Sequence, residues 1–490
     1  MSRARAAAPA PIRMRARTLL GALCATLAML LASLGGWGAS PAQAAPAFPS
    51  GDLAIEIHKF EQPHETRPPA NGLPQDTTGL APVEGAVFAA KRVPGIDLST
   101  DAGQREAATL TVAEASARAA GEPLAASDVT DGAGDATLAP LAAGLYLVEE
   151  TLTPQGFIGA APFLLALPLT DPVDRDRWLT AVHVYPKNAR VSAALAVDDR
   201  SAVTNGDPIT WTARTSIPGQ MRIADYTVQS LLAAGVVLDD RFSAIDVGIT
   251  GVPAPLQYGI DYTVNEATVD GRWGFEVVFA PAGLAKLEAA VAADPRAEVA
   301  VAYRAHVTGP GVHTNEVRLV IGGEALAGSS ATTKFGPLEM LVHEKGNPAH
   351  VLAGTEFTLY LSAEDALAGR NPVTVGGVDR WTSGPDGTIV IDSLRFSGFV
   401  NGLDRDSSDP LFRRYYVVPV AFPSGWTGVT APIALTVTST SRAEVGIVEL
   451  WRSGGGDGGG ELETTGARAT GIAAGAALLL GLGALLVLRR

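Results

Sequence analysis

The chain has 490 residues, 54 of them glycine and 33 proline, room for about three ordinary domains. It carries 37 Lys+Arg against 51 Asp+Glu, a net charge of −14 with no basic patch, which argues against nucleic-acid binding. The single cysteine, Cys24, falls in what reads as a leader, so the exported chain has no disulfide to staple it. Leu23 stands just before it, where a lipobox normally has a small residue, which argues against lipoprotein processing. Val- and Thr-rich segments with little helical periodicity between the termini predict all-β modules.

Residues 1–44 read as a secretory signal peptide. Arg3, Arg5, Arg13, Arg15 and Arg17 form its positive end, an apolar run follows from Leu19 to about Leu34, and Ala42-Gln43-Ala44 is a small-x-small cleavage site. Its removal takes the net charge from −14 to −19.

The first block spans 45–188. It opens on the alternation Leu53-Ala54-Ile55-Glu56-Ile57-His58-Lys59, in which Lys59 continues the apolar face of Leu53, Ile55 and Ile57. Burying an unpaired ammonium is costly, so this placement is unusual. Residues 62–82 are rich in Pro, Thr and Gly and read as a long loop. The block closes on a strand, Leu179–Val184, followed by Tyr185-Pro186-Lys187-Asn188. Alternation puts Val182, Val184 and, if the strand continues, Asn188 on one face, and His183, Tyr185 and Lys187 on the other. Lys187 then faces solvent while Asn188 faces the core. Pro186 has no N–H to donate, which predicts a strand end or sheet edge. Lysine occurs only at Lys59, Lys91, Lys187, Lys286, Lys334 and Lys345.

The second block, 189–335, has strands at Ile209–Ala213 and Arg272–Phe279, the latter with Trp273, Phe275, Val277 and Phe279 on one face. Val299, Val301, Tyr303, Ala305 and Val307 mark a third strand, and Pro281 opens a short helix over Ala282–Ala293. The third block, 336–451, repeats elements of the first. Gly85-Ala86-Val87-Phe88 matches Gly354-Thr355-Glu356-Phe357, Tyr146 matches Tyr415, and Pro154-Gln155-Gly156-Phe157 matches Pro423-Ser424-Gly425-Trp426. Gly to Tyr is 61 residues in both copies, and Tyr to Pro is 8 in both. Shared residues at shared spacing predict two copies of one fold, with the size of an immunoglobulin-like sandwich.

Residues 452–490 hold a Gly-rich tether from Ser453 to Gly460, then Leu462-Glu463-Thr464-Thr465-Gly466, then an uncharged run of 18 residues, Gly471–Leu488, closed by Arg489-Arg490. The run is near the minimum for a membrane helix, with its basic end on the cytoplasmic side. Taken alone it reads as a plain C-terminal membrane anchor.

Tyr185-Pro186-Lys187-Asn188 resembles the pilin motif of sortase-assembled pili of Gram-positive bacteria. Leu462–Gly466 resembles their Leu-Pro-x-Thr-Gly sorting signal, with Glu463 in place of proline. Phe60-Glu61-Gln62-Pro63 extends the resemblance to the first domain of actinobacterial backbone pilins. The first and third blocks resemble collagen-binding-protein B-type domains, and the middle block a related sandwich. The resemblance implies an all-β chain of tandem immunoglobulin-like sandwiches that forms the backbone of a covalent surface pilus. It implies that a pilin sortase forms a thioester at Thr465, releases Gly466 onward, and passes the acyl group to Lys187 of another copy. Release would take the net charge to −22 through loss of Arg468, Arg489 and Arg490. The implied partners are pilin-type and housekeeping sortases, other copies of the chain, peptidoglycan, minor or tip pilins and host surface ligands. The implied location is the cell wall, reached through a transient membrane anchor.

The runner-up is a singly displayed wall-anchored adhesin with Lys187 idle. A secreted enzyme with β accessory domains is weaker, because no Gly-x-Ser-x-Gly, Walker loop or His-Glu-x-x-His is present. No cofactor or metal is expected. The seven histidines are scattered, and Asp198, Asp199, Asp404, Asp406 and Asp409 read as solvated loop carboxylates in preference to calcium ligands.

The resemblance further implies an internal Lys–Asn isopeptide bond between first and last strands, promoted by a buried carboxyl group. In the first block the candidates are Lys59, Asn188 and Glu150, the last in the pattern Tyr-x-x-x-Glu-Thr-x-x-Pro-x-Gly over 146–156. The alternative is an exposed Lys59 and an Asn188 that caps a turn. The third block has Val342 and Pro419 at the corresponding places. The second has Asn315 but Leu195 where a lysine would stand.

Overall fold

The computed structural model describes residues 48–49, 51–63, 67–219, 221–252, 255–441 and 445–454. Strict alternation makes β1 (Leu53–His58) one-sided: Leu53, Ile55 and Ile57 are buried and the residues between them are not. The first block continues through β2 (Phe60–Glu61), β3 (Val87–Arg92), α1 (Asp101–Thr109), α2 (Val112–Ala119), β4 (Leu124–Val129), β5 (Asp135–Leu141) and β6 (Gly144–Leu152). It closes through β7 (Phe157–Ile158), β8 (Phe163–Leu167), β9 (Leu169–Thr170), β10 (Trp178–Leu179), β11 (Ala181–Val184) and β12 (Lys187–Arg190).

Two sheets, ordered β11-β1-β5 and β4-β3-β6-β8, enclose a core of Leu53, Ile55, Ile57 and Val182 against Phe88, Tyr146 and Val148. First and last strands run parallel, Ile55 opposite Val182 and Ile57 opposite Val184. A third small sheet, β2-β12-β7, extends this frame at one end.

Two helices interrupt the expected all-β block. Thr100 caps α1, and Thr111 caps α2 through a capping box with Glu114, so the local signal was present in the sequence. With Val93, Ile96, Leu98, Leu145 and Leu147, the Ala115 and Ala119 face of α2 forms a small second core on the outer side of β6.

In the middle sandwich, Val299, Val301, Tyr303, Ala305 and Val307 are all buried, as alternation predicts. On the strand Arg272–Phe279, Phe275, Val277 and Phe279 are buried, but Trp273 is 39 % exposed and donates its indole N–H to Glu266. The helix Pro281–Ala293 has proline in its first turn, where no N–H is needed.

One strand of 21 residues, Glu324–Glu344, runs from the middle sandwich into the third. It pairs with Gly311–Ile321 as far as Phe335, and from there with Thr388–Arg395 and Val445–Arg452. The two sandwiches therefore share a backbone rail. The expected solvated pair Asp198-Asp199 divides at this junction. Asp199 is fully buried, accepting hydrogen bonds from the Thr333 hydroxyl (2.5 Å) and the Asn401 N–H (2.8 Å). Buried carboxylates persist only where such donors replace water.

The third sandwich repeats the first in register as well as in sequence. Residues 339–344 run parallel to 445–450, as β1 does to β11. Phe357 lies opposite Pro419, as Phe88 lies opposite Glu150. Tyr146 and Tyr415 are both buried and donate their hydroxyls to backbone carbonyls, Ala142 at 2.7 Å and Arg395 at 2.6 Å.

Candidate functional site

Lys59 sits between β1 and β2 with no exposed surface. Its N–H donates to Gly134 O (2.7 Å), and its carbonyl accepts from Val83 N–H (3.0 Å). Gly134 has φ +82°, and a Cβ there would fall 2.3 Å from the Lys59 carbonyl oxygen. Glycine is what lets the turn before β5 approach so closely. The lysine stem passes over the Phe88 ring, with Nζ 5.3 Å from its centroid.

At the end of that stem the three expected residues meet. Lys59 Nζ donates to Glu150 Oε2 at 2.8 Å and also contacts Asn188 Oδ1. Asn188 Nδ2 donates to Glu150 Oε1 at 2.7 Å. The Ala160 N–H donates to Glu150 Oε2 at 2.8 Å and so fixes the carboxyl group from the third side. Both Glu150 and Asn188 side chains are withdrawn from solvent. Cross-strand pairing explains the convergence: Glu150 lies opposite Phe88 and shares its inward face. The alternative of an exposed Lys59 and a turn-capping Asn188 does not fit this burial.

Burial pushes the Lys59 ammonium below the usual lysine range, while its hydrogen bond to Glu150 and that carboxylate's charge pull it back up. A buried Lys–Glu pair has two arrangements of the same protons: ammonium with carboxylate, or amine with carboxylic acid. In the second, a nucleophilic amine and an acid both touch one amide group.

The other two sandwiches lack the triangle. Asn315 is buried, but its Oδ1 accepts from Ala233 N–H (2.8 Å) and its Nδ2 donates to the Tyr303 hydroxyl (3.3 Å). Leu195 and Val342 are buried apolar residues.

Tyr185 and Pro186 form a break between β11 and β12, and the Phe60 N–H donates to Pro186 O at 3.3 Å. Pro186 thus stands just past the end of β11, an edge strand of its sheet, as a residue without an N–H predicts; β12 beyond it is the central strand of its own sheet, parallel to β2 with Lys187 opposite Phe60 and antiparallel to β7. Asn188 points inward to Lys59, so Lys187 projects from the opposite face of β12, half-buried. Among the described residues no ion pair or hydrogen bond holds its ammonium.

The histidines are not all scattered. His58 Nε2 lies 2.8 Å from His183 Nδ1, and His58 Nδ1 lies 2.7 Å from Asp135 Oδ1. The Tyr185 ring stacks on His58, centroids 4.9 Å apart. Parallel pairing of β1 and β11 creates this cluster, and it becomes visible only once their register is known. Among the described residues no group of three or more His, Cys, Asp or Glu side chains is placed to hold a metal. The signal peptide, Leu462–Gly466 including Thr465, and the apolar run Gly471–Leu488 lie outside the described residues.

Comparison with known proteins gives this geometry a family. Residues 50–189 match the model for the Gram-positive pilin subunit D1, N-terminal domain. The chain is 27 % identical over 427 residues to fimbrial subunit type 2 of Actinomyces naeslundii, covering 77 % of each chain. It is 26 % identical over 493 aligned positions to fimbrial subunit type 1 of Actinomyces viscosus, covering 86 % of this chain and 88 % of the other. In fold it is similar to the Corynebacterium diphtheriae major pilin SpaA, with TM-score 0.61 at 24 % identity, covering 82 % of this chain and 100 % of that one. It is likewise similar to the major pilin SpaD of the same organism, with TM-score 0.61 at 22 % identity, covering 82 % and 98 %. The tandem immunoglobulin-like sandwiches are thus a pilin architecture, the N-terminal domain matches the Gram-positive pilin family, and the comparisons together support a sortase-assembled pilin, a structural subunit of a surface pilus.

Proposed function

We propose that the subunit is polymerised head to tail through Lys187 and Thr465. A sortase cysteine attacks the Thr465 carbonyl, the Thr465–Gly466 bond breaks, and Gly466 onward leaves as an amine. The Lys187 amine of another copy then attacks the thioester; the C–S bond breaks, a C–N bond forms, and the nitrogen loses a proton. The observation that carries this reading is the state of Lys187: in the pilin quartet, on the face of β12 opposite Asn188, with its ammonium unheld among the described residues. A nucleophile must leave its partners before it attacks, and among the described residues Lys187 has none to leave. Substituting Lys187 by alanine should abolish high-mass polymers resistant to boiling in detergent and leave exported monomer. Polymers persisting in that variant would place the acceptor elsewhere.

Within each copy, Lys59 and Asn188 condense into an internal isopeptide bond. Lys59 Nζ attacks Asn188 Cγ, the C–N bond to Nδ2 breaks, and ammonia leaves with a proton drawn from Lys59 through Glu150. The bond ties the first strand of the N-terminal sandwich to the strand that carries Lys187. The subunit is thus a sortase substrate and acts on no external substrate of its own. A housekeeping sortase joins the finished polymer to peptidoglycan through the same Thr465 chemistry, with the C-terminal apolar run holding the chain at the membrane until then. Minor or tip pilins and host surface ligands complete its set of partners.

A further inference from the structure

Beside the acceptor strand lies an open pocket of about 400 Å³, lined in part by His58, Phe60, Asp135, His183 and Tyr185 from the sandwich and by Gln75 from the segment 67–82. Two hydrogen bonds, each donated by a backbone N–H, fasten that segment to the stretch leading to Lys187. The Gln75 N–H donates to the Tyr185 hydroxyl at 2.6 Å, and the His183 N–H donates to Gly72 O at 2.9 Å. Tyr185 is kept in place by stacking on His58, whose ring is nearly coplanar with that of His183, 8° apart. Asp135, on β5, anchors the far side of His58. The fastening therefore runs Asp135–His58–His183, with Tyr185 stacked upon it, and ends two residues before Lys187.

We infer that Asp135, His58 and His183 are positioning residues for Lys187, clasping the segment 67–82 and Tyr185 at neutral pH and releasing them on acidification. The inference rests on the reading of Lys187 as acceptor. The chemistry is a limit on protons. With the His58 Nδ1–H given to the Asp135 carboxylate, one proton between His58 Nε2 and His183 Nδ1 makes a hydrogen bond. When both rings are fully protonated, two N–H groups face each other at 2.8 Å and the bond is replaced by repulsion.

Among the described residues, the titratable groups facing the pair are Glu56 on β1, Asp135 on β5 and Tyr185; the segment 67–82 contributes the uncharged Gln75 and Thr77 to the pocket wall. Glu56 accepts from the Thr137 hydroxyl at 2.7 Å. Burial and the neighbouring His58 hold the His183 imidazole below its usual range, with Glu56 opposing them. A histidine whose pKa is lowered on folding stabilises the clasp above its unfolded pKa, about 6.5, and that contribution is lost as pH falls through the folded value.

The test uses residues 45–466, wild type and His183→Asn, whose side-chain amide offers His58 Nε2 an uncharged partner. Hydrogen exchange is followed at the Gln75 and His183 amides at pH 7.5 and pH 5, corrected for intrinsic rates. Protection in the wild type should fall by about tenfold or more at pH 5, and in His183→Asn by less than about twofold. A parallel assay measures sortase-catalysed acylation of Lys187 by a peptide carrying Leu462–Gly466. The His183→Asn to wild-type rate ratio, which cancels the enzyme's own pH response, should rise on acidification. Equal protection at both pH values in the wild type would overturn the inference, as would the same acid loss in His183→Asn. If Lys187 is acylated at no pH, the acceptor reading fails, while the exchange measurement still decides whether the clasp exists.

Discussion

Replacing Lys59 by methionine removes the nucleophile of the internal bond and keeps an unbranched stem against Phe88, while the buried Glu150 carboxyl group loses its lysine partner and keeps the Asn188 Nδ2 and Ala160 N–H donors. The cross-link is then the largest interaction removed. Lys59 and Asn188 are 129 residues apart, so the bond closes a loop of that size. Treated as a disulfide-like constraint on the unfolded chain, such a loop is worth about 5 kcal/mol. A domain of about 140 residues has an unfolding entropy near 0.3 kcal/mol/K, so its melting temperature should fall by about 15 to 20 °C. Intact mass is the first assay. The wild-type ectodomain should weigh about 17 Da less than its sequence, the ammonia lost in the condensation, and Lys59→Met should show its full sequence mass. Calorimetry then follows the N-terminal transition. Glu150→Ala should also restore full mass, and should destabilise further than Lys59→Met because it strands the Lys59 ammonium beside an amide. A wild-type mass without the deficit would refute the reasoning, and the triangle would then be an ordinary buried ion pair completed by an amide.

Arginine at position 187 should fail to restore polymers, because a guanidinium stays protonated and is a poor nucleophile; polymer ladders on denaturing gels check this. Glu463→Pro should raise the yield of polymer or wall-anchored protein by restoring the family's proline, whereas Thr465→Ala should abolish both; an unchanged wall fraction in the latter would show that the signal lies elsewhere. Asp199→Ala leaves the Thr333 hydroxyl and Asn401 N–H without their acceptor, and should cost the middle and third sandwiches about 3 kcal/mol in denaturant unfolding of the ectodomain. A loss below about 0.5 kcal/mol, the range of ordinary surface substitutions, would mean that water replaces the carboxylate at no cost.

The repeat was legible because its shared residues meet backbone demands that sequence displays directly. Gly85 and Gly354 both adopt positive φ, +83° and +87°, as do Gly156 and Gly425 at +86° and +80°. The site was legible for a related reason: Lys59 broke an otherwise clean apolar alternation, and only a compensating partner makes that tolerable. What alternation could not supply was register. The meeting of His58 with His183 depends on parallel pairing between strands 123 residues apart in Ala181 and His58 numbering, set by packing of the whole sandwich. The inward turn of Asp199 depends likewise on the third sandwich docking against the middle one. The helices α1 and α2 were a different kind of miss. Their caps were written in Thr100, Thr111 and Glu114, but the helices are only 9 and 8 residues long and cover only a satellite core, so each periodic run is short.

The central claim is that one copy of the chain is joined to the next through Lys187. Proteolysis of purified high-mass polymers, followed by mass spectrometry of branched peptides, tests it most directly. The account predicts a single branch type between copies, in which the Thr465 carbonyl is bonded to Lys187 Nζ with Gly466 onward absent, beside the internal Lys59–Asn188 cross-link of each copy. A branch at Lys91, Lys286, Lys334 or Lys345, or polymers with no branched peptide at all, would contradict it.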